Sequence, residues 1–458
     1  MSLLPARLRA VWRRVLSLAW PVMAEQTFRT LMRTTDVIVT ATFSPAAVVA
    51  IGLADLYARF PLRIGLGLGA GAIALSSQDT GRGADATRDE AISVAVLLGA
   101  LLGVPFALGG WLLGDDLIAL LGAGSRAVEL GGLYLAVVFA TAPARHVVLV
   151  AARSLQGTGD TRTPMYVNVL ANMLNVTFTV GLGLGYFGLP RLGVFGVGLA
   201  TAGANVLTAL LLVGAIASSR TQAGFVRPRD PVIARQLVVV SLPRIGEGFA
   251  ATLAEFPFNA LLLGFGTAVN AGFQIGRRMY QQVTGPLSRG YSVAASVVVG
   301  QSLGDGDPGS ARYQGWAVAA LGVLTVGSVG FALAFGAEWF VRLFTDDAAT
   351  VEYAVAFART YGVAAPALVT FVALSGALSG ASETRVPFVA RVTGLAGFLL
   401  GASYLLGVVL GYGPLGAYVG IAGSYVWMAL VVGWRFRAGN WARRAADMMA
   451  ERGRAAEA

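Results

Sequence analysis

Several ionisable residues of this chain stand inside long apolar stretches, where charge is costly and marks an ion pathway, a ligand or a buried pair. Asp36 lies in Arg33-Thr34-Thr35-Asp36-Val37-Ile38-Val39, and Glu255 stands between Ala254 and Phe256. A low-dielectric setting disfavours a bare carboxylate, so Asp36 is suited to loading and releasing a proton or to holding sodium. The alternative is a structural pair with Arg33, one helical turn away. Glu25 precedes Arg29 by four residues and Asp55 precedes Arg59 by four, the favourable order for ion pairs along a helix. The run Arg277-Arg278-Met279-Tyr280-Gln281-Gln282 mixes charge, a thioether and an aromatic ring. That mixture suits a broad binding surface, or else the wet end of a long helix. His146 is the single histidine and there is no cysteine, which excludes a conventional zinc site and thiolate chemistry. His146 itself reads as a packed polar residue. All 34 basic residues are arginine, so no Walker phosphate loop, which needs lysine, is present. The glycines between Gly65 and Gly71 lie in apolar sequence with no preceding strand, and read as helix-packing positions.

The elements that position these residues are membrane helices. The chain has 458 residues, 56% hydrophobic and only 13% charged, about half the charge of a soluble domain. Glycine, proline and charge punctuation predict about twelve spans, at residues 15–41, 46–79, 91–114, 127–152, 164–188, 193–218, 236–264, 268–302, 312–337, 350–380, 386–411 and 414–435. With the N-terminus inside, about 20 arginines fall on the cytoplasmic side and only Arg126, Arg191 and Arg342 outside, so both termini are expected in the cytoplasm. The net charge of +10 thus reports orientation, not nucleic-acid binding.

An internal repeat organises the spans. Gln78-Asp79-Thr80-Gly81-Arg82-Gly83 recurs as Gln301-Ser302-Leu303-Gly304-Asp305-Gly306, and Asp160-Thr161-Arg162-Thr163-Pro164 as Glu383-Thr384-Arg385-Val386-Pro387. Glu129 recurs as Glu352 and Tyr57 as Tyr280, every pair 223 residues apart. The expected architecture is all-α, with twelve transmembrane helices in two pseudo-two-fold-related six-helix bundles. Six is even, so the halves are parallel repeats about an axis along the membrane normal. The expected organisation is an N-tail at 1–14, an N-lobe at 15–218, a linker at 219–235, a C-lobe at 236–435 and a C-tail at 436–458. The offset also relates Asp55 to Arg278, residues of opposite charge, and suggests a gate closing between the lobes; pairing within each lobe is the alternative.

The segment from Arg153 to Met165, Arg-Ser-Leu-Gln-Gly-Thr-Gly-Asp-Thr-Arg-Thr-Pro-Met, resembles the "LQGxGDTRxPM" signature of multidrug and toxic-compound extrusion (MATE) transporters. Pro190 to Thr201 is similar to that family's "PxLGxxGxxxAT", Gly300 to Arg312 to its "GQxxGxxxxxxAR", and Leu343 to Asp346 to its "LFTxD". The resemblance implies a cation-coupled antiporter that exports amphiphilic drugs or metabolites by alternating access, with proton or sodium as coupling ion and no other cofactor. It implies that Asp36 is the coupling carboxylate and that Asn175 opens the family's "NxxxD", whose aspartate is Thr179 here. Asp36 would then carry most of the charge alone. Sodium-coupled members carry a glutamate about one turn before Glu255, near Ala251, and an aspartate near Leu368, which this chain lacks. Glu255 is expected to face the substrate cavity or make a structural contact, with Asp55, Arg278, Tyr280 and Gln281 lining the cavity or gate. The expected partners are a small-molecule substrate and the lipid bilayer, with no nucleic acid; the chain is expected to be a monomer in the plasma membrane, and not an enzyme. A flippase for lipid-linked saccharides or their precursors is the alternative that the intramembrane arginines Arg59, Arg63, Arg277, Arg278 and Arg289 keep open.

Overall fold

A computed structural model describes residues 5–218 and 220–457, with side chains through Arg454. Residues 1–4 of the expected N-tail, Ser219 of the linker and Ala458 of the C-tail lie outside the described residues. In chain order the helices are α1 (Ala6–Ala41), α2 (Pro45–Gly81), α3 (Asp85–Leu120), α4 (Ser125–Ala140), α5 (Ala142–Gly157), α6 (Arg162–Leu184), α7 (Gly193–Ala217) and α8 (Pro231–Phe265). The second series is α9 (Thr267–Gly304), α10 (Pro308–Gly322), α11 (Ser328–Phe335), α12 (Ala337–Val341), α13 (Ala348–Gly380), α14 (Arg385–Gly394), α15 (Pro414–Ala438) and α16 (Asn440–Glu457). Wide-turn π-helical stretches, Val323–Gly327, Leu395–Ala402 and Leu405–Val409, continue α10 and α14. Among the described residues no strand occurs.

Nine of these segments are long and apolar enough to cross a membrane, and the bent pair α4–α5 makes a tenth. The remaining two of the twelve are α1 and α9, the helices that carry Asp36 and the Arg277–Arg278 pair. Adding 223 to the ends of α1 to α7 lands within three residues of the ends of their second-half counterparts, with α4–α5 corresponding to α13. The duplication therefore reaches local backbone geometry: Gly159 has φ 96° and its counterpart Ser382 has φ 58°. Ser382 thus holds a left-handed conformation that costs a side-chain-bearing residue about 1 kcal/mol.

Two expected tails are helical. The helix of α1 begins at Ala6 and so includes Arg7, Arg9, Arg13 and Arg14, because helical hydrogen bonding does not stop where the bilayer does. The C-tail forms α16, whose buried Trp441, Ala445, Met449 and Arg452 recur at helical spacing.

Packing gathers the chain into two compact units. One comprises Met1–Met23, Ser77–Gly83 and Leu242–Glu451; the other comprises Ala24–Ser76, Ala84–Ser241 and Arg452–Ala458. In the first, α13 packs along α9 around Phe258, Phe273, Tyr280, Phe357 and Tyr361. The ends of α2 and α9 meet there as reciprocal partners. A Cβ on Gly81 would lie 2.1 Å from the Gln301 carbonyl oxygen, and one on Gly304 would lie 2.1 Å from that of Gln78. The repeat motifs surround this crossing. Gln78 Nε2 donates to the Gly380 carbonyl at 2.8 Å and to Ser382 Oγ at 2.9 Å, and Arg14 donates to Gln301 Oε1 at 2.6 Å. Arg82 pairs with Asp79 at 3.0 Å and donates to the Met449 carbonyl, while Arg444 pairs with Glu383 at 3.1 Å. The motif repeated along the chain is thus a packing motif in which only glycine permits the close crossing. Gly81→Ala is expected to lower the stability of the purified protein by about 1–3 kcal/mol, the cost of overpacking. Gly109→Ala, where a Cβ meets nothing within 4 Å, should leave the melting temperature unchanged or raise it.

In the second unit, α3 packs on α4 and α5, and α6 on α7, around Val39, Ile51, Ile118, Leu135 and Val197. The segment between the repeats is stapled to α3. Gly224 N donates to Asp89 Oδ1 at 3.0 Å, Val226 N to Ser93 Oγ at 3.0 Å and Asp230 N to Glu90 Oε1 at 2.6 Å. Its backbone donors, which would otherwise seek water, are satisfied by side chains of the first turns of α3.

Candidate functional site

Two helices of the second unit bring together the sequence-predicted coupling residues. Asp36 is on α1, and Asn175 and Thr179, four residues apart on α6, lie on one helix face. Thr179 Oγ1 donates to Asp36 Oδ1 at 3.1 Å, with Asn175 Oδ1 as a longer alternative at 3.5 Å. Asn175 Nδ2 reaches Thr201 Oγ1 of α7 at 3.4 Å. Asn175 and Thr179 are buried, whereas Asp36 is half-buried. Among the described residues Asp36 makes no ion pair, so the structural pair with Arg33 is not formed at bonding distance. A carboxylate, an amide carbonyl and a hydroxyl converge here, a set of hard oxygen donors that can hold a proton or an alkali cation.

The same niche is absent from the second repeat. The counterpart of Asp36 is Asn259, which accepts from Asn270 Nδ2 at 3.0 Å and Gln274 Nε2 at 2.7 Å. The counterpart of Thr179 is Ala402. The repeat keeps the helices and discards the acid, so the charge chemistry of this position is confined to α1.

The other expected site residues fall in different settings. Glu25 and Arg29 pair at 3.1 Å as expected. Asp55 makes no ion pair among the described residues, so the expected Asp55–Arg59 pair is not formed at bonding distance. Asp55 instead lies within electrostatic reach of Arg33 on α1 and Arg145 on α5 as well as Arg59, and these competing cations remove the reason to close on one partner. Glu255 on α8 pairs with Arg277 on α9 at 3.2 Å. Arg278 and Gln281 are exposed on α9. Tyr280 does not face open space: it is 2% exposed and its ring stacks on Tyr361 at 5.5 Å. Its first-repeat counterpart Tyr57 donates its hydroxyl to the Leu117 carbonyl at 2.7 Å. His146 is packed as expected, with Nδ1 3.1 Å from the Gly99 carbonyl and Nε2 2.7 Å from that of Pro61.

Sequence reasoning missed one buried charge cluster. Glu247 on α8 pairs with Arg244 at 2.5 Å and with Arg391 on α14 at 3.2 Å, and the Arg391 guanidinium lies 4.6 Å from the Phe371 ring centre. The i,i+3 spacing of Arg244 and Glu247 is visible in the sequence; the contribution of Arg391, 144 residues away, is not. Among the described residues no group of three or more His, Cys, Asp or Glu is arranged to hold a metal.

A duplicated bundle of membrane helices, with a polar acid-bearing niche in one repeat alone, has the architecture of a membrane transporter. One family model, described as MatE, matches the chain at residues 21–180 and again at 243–412. The chain belongs to this family, the multidrug and toxic-compound extrusion transporters, and is a multi-pass membrane protein. It is 31% identical to a probable multidrug resistance protein NorM of Rhodopseudomonas palustris, over 95% of this chain and 94% of the relative. It is 28% identical to the multidrug resistance protein PmpM of Pseudomonas aeruginosa, over 93% and 89%. A crystal structure of a MATE protein in its bent conformation superposes with a TM-score of 0.86 at 20% identity, over 97% of each chain. An outward-facing multidrug resistance MATE transporter superposes with a TM-score of 0.84 at 21% identity, over 93% of this chain and 96% of the other.

Proposed function

We propose that the chain is a secondary-active exporter of amphiphilic drugs or metabolites, working by alternating access and driven by loading of Asp36 with a proton or sodium. The observation that carries this reading is a half-buried carboxylate within α1, joined to α6 by Thr179 and without an arginine at ion-pair distance. An ion shifts a two-state equilibrium only through its different affinity for the two states, so cation and substrate either compete or prefer opposite access states. The relatives named as multidrug resistance proteins support the substrate class. The arginine asymmetry of the loops supports both termini in the cytoplasm, and export from the cell would place the protein in the plasma membrane. A single chain already contains both repeats, which supports action as a monomer. The intramembrane arginines favour a second reading, a flippase for lipid-linked saccharides or their precursors.

Purified protein in liposomes, under separately imposed pH and sodium gradients, tests the first reading. Export driven by one gradient is expected, and its absence under both, with lipid flipping in its place, would favour the second. Thr179→Val should slow gradient-driven export about tenfold, since a hydrogen bond to a charged group contributes about 1.5–3 kcal/mol. Thr179→Ser, which keeps the hydroxyl, should restore most of the rate.

A further inference from the structure

The first unit carries a groove whose lining the duplication did not copy. It has a volume of about 510 Å³ and lies between the start of α1 and the length of α10, lined by Trp12, Trp316, Ala320, Leu324 and, from α13, Thr370. Leu324 belongs to the wide-turn stretch that continues α10. The Thr370 hydroxyl donates to the Pro366 carbonyl of its own helix at 2.8 Å, so the lining offers little polarity. Two contacts set the register of the groove walls. The Arg7 guanidinium lies 4.3 Å from the Tyr313 ring centre, and Trp12 Nε1 donates to the Ala317 carbonyl at 3.0 Å. Both contacts advance together along the chain, so α1 and α10 run the same way, side by side. Arg9 and Arg13 flank Trp12 on one face of α1, and Arg312 stands one turn before Trp316 on α10. The groove thus has an apolar body and an arginine-bearing end. Among the described residues these three arginine side chains make neither a hydrogen bond nor an ion pair, and Arg9 Nε is buried without a partner.

The first repeat uses the same positions differently. By the 223-residue offset Arg312 corresponds to Asp89, Trp316 to Ser93 and Ala320 to Leu97. Asp89 and Ser93 accept backbone hydrogens from Gly224 and Val226, so the chain itself covers that face of α3. In the second repeat arginine replaces the acid and tryptophan replaces serine, and both covering acceptors are gone. Arg312, Trp316, Ala320 and Leu324 are exposed. These replacements suit an anionic head carried on an apolar chain. Guanidinium matches phosphate oxygens in a bidentate fork, tryptophan favours the boundary between head groups and hydrocarbon, and basic pockets between membrane helices take anionic lipid head groups. We propose that this groove binds an anionic phospholipid, its phosphate on Arg9, Arg13 and Arg312 and one acyl chain along Trp12, Trp316, Ala320 and Leu324. The occupant is a bilayer lipid because the exposed wall, α10 with its continuation to Phe335, is long and apolar enough to cross a membrane. The inference does not depend on the exporter reading.

The test titrates full-length protein in neutral detergent with phosphatidylglycerol or phosphatidylcholine and reads the bound lipid by native mass spectrometry. Saturable binding of phosphatidylglycerol is expected, about tenfold tighter than that of phosphatidylcholine. Arg9→Gln, Arg13→Gln and Arg312→Gln should each weaken it about fivefold, the contribution of one arginine near an anionic head group. Arg220→Gln, which removes an exposed arginine between the repeats, should leave it unchanged. Ala320→Phe fills the groove two turns away from Arg312 and should weaken both lipids about tenfold, as for about two methylene groups kept from apolar contact. Melting curves close to wild type show that each variant is folded, and Arg312→Gln carries the charge arm if Arg9→Gln is not. Equal affinity for the two lipids would overturn the proposal. So would phosphatidylglycerol binding that survives the three arginine substitutions or Ala320→Phe unchanged. A loss in Arg220→Gln as large as in Arg9→Gln would overturn it too, because the preference would then belong to the overall charge and not to the groove. Asp36→Asn should bind phosphatidylglycerol like the wild type.

Discussion

Asp36→Asn should abolish gradient-driven export while leaving the protein folded and inserted. The substitution is nearly isosteric and keeps an oxygen for the Thr179 hydroxyl, which now donates to Asp36 Oδ1 at 3.1 Å, so packing changes little. What disappears is the capacity to change charge. The second repeat shows that the bundle accommodates an amide here: Asn259 occupies the equivalent position and is held by Asn270 and Gln274. With an amide at both positions, neither proton nor sodium would bias one access state over the other, and a carrier without that bias only equilibrates its substrate. Accumulation against a gradient in liposomes should fall to the level of protein-free vesicles, while a melting curve close to wild type shows that the loss is functional. Unchanged export would remove Asp36 from the mechanism.

Glu247→Ala should have the largest effect on stability. The carboxylate is buried and holds Arg244 at 2.5 Å and Arg391 at 3.2 Å, one from its own helix and one from α14. Its removal leaves two guanidiniums in an apolar unit with their shared acceptor gone. Breaking a buried charge pair by deleting one partner costs about 3–5 kcal/mol, mostly the penalty of the orphaned charge. The expected result is a marked drop in melting temperature in detergent and poor recovery from the membrane. Replacing all three residues together with Met should recover much of it, because no charge is then left unpaired. A single substitution that leaves the melting temperature unchanged would show that water already solvates these arginines.

The contrast between these two acids explains what the sequence could convey. The duplication was legible because a constant offset survives in the short motifs at the helix ends, and the helix ends obey it from α1 to α15. The Asp36, Asn175 and Thr179 group was legible through the family motif, and the helical spacing of the α6 pair placed both side chains on one face. The reach of α1 back to Ala6 was not, because a hydropathy window senses the bilayer and not the hydrogen bonding that carries a helix beyond it. The break at Thr141 between α4 and α5 was hidden too: Pro143 begins a helix there, whereas the equivalent Pro366 lies within the continuous α13. The Asp55–Arg59 expectation failed because the spacing rule describes an isolated helix, and two further arginines arrive from α1 and α5. Arg391 could not be assigned to Glu247 for the same reason: a partner on another helix leaves no local trace.

The central claim, that loading Asp36 switches access, is tested most directly by a distance measurement. The chain has no cysteine, so spin labels can be introduced at Ala84 and Asp307, repeat-related positions just beyond α2 and α9, and their separation followed by pulsed electron resonance as pH or sodium is varied. The account predicts two distance populations whose ratio titrates in the wild-type background and does not respond in Asp36→Asn. A titration that persists unchanged without the carboxylate, or a single distance under every condition, would contradict it.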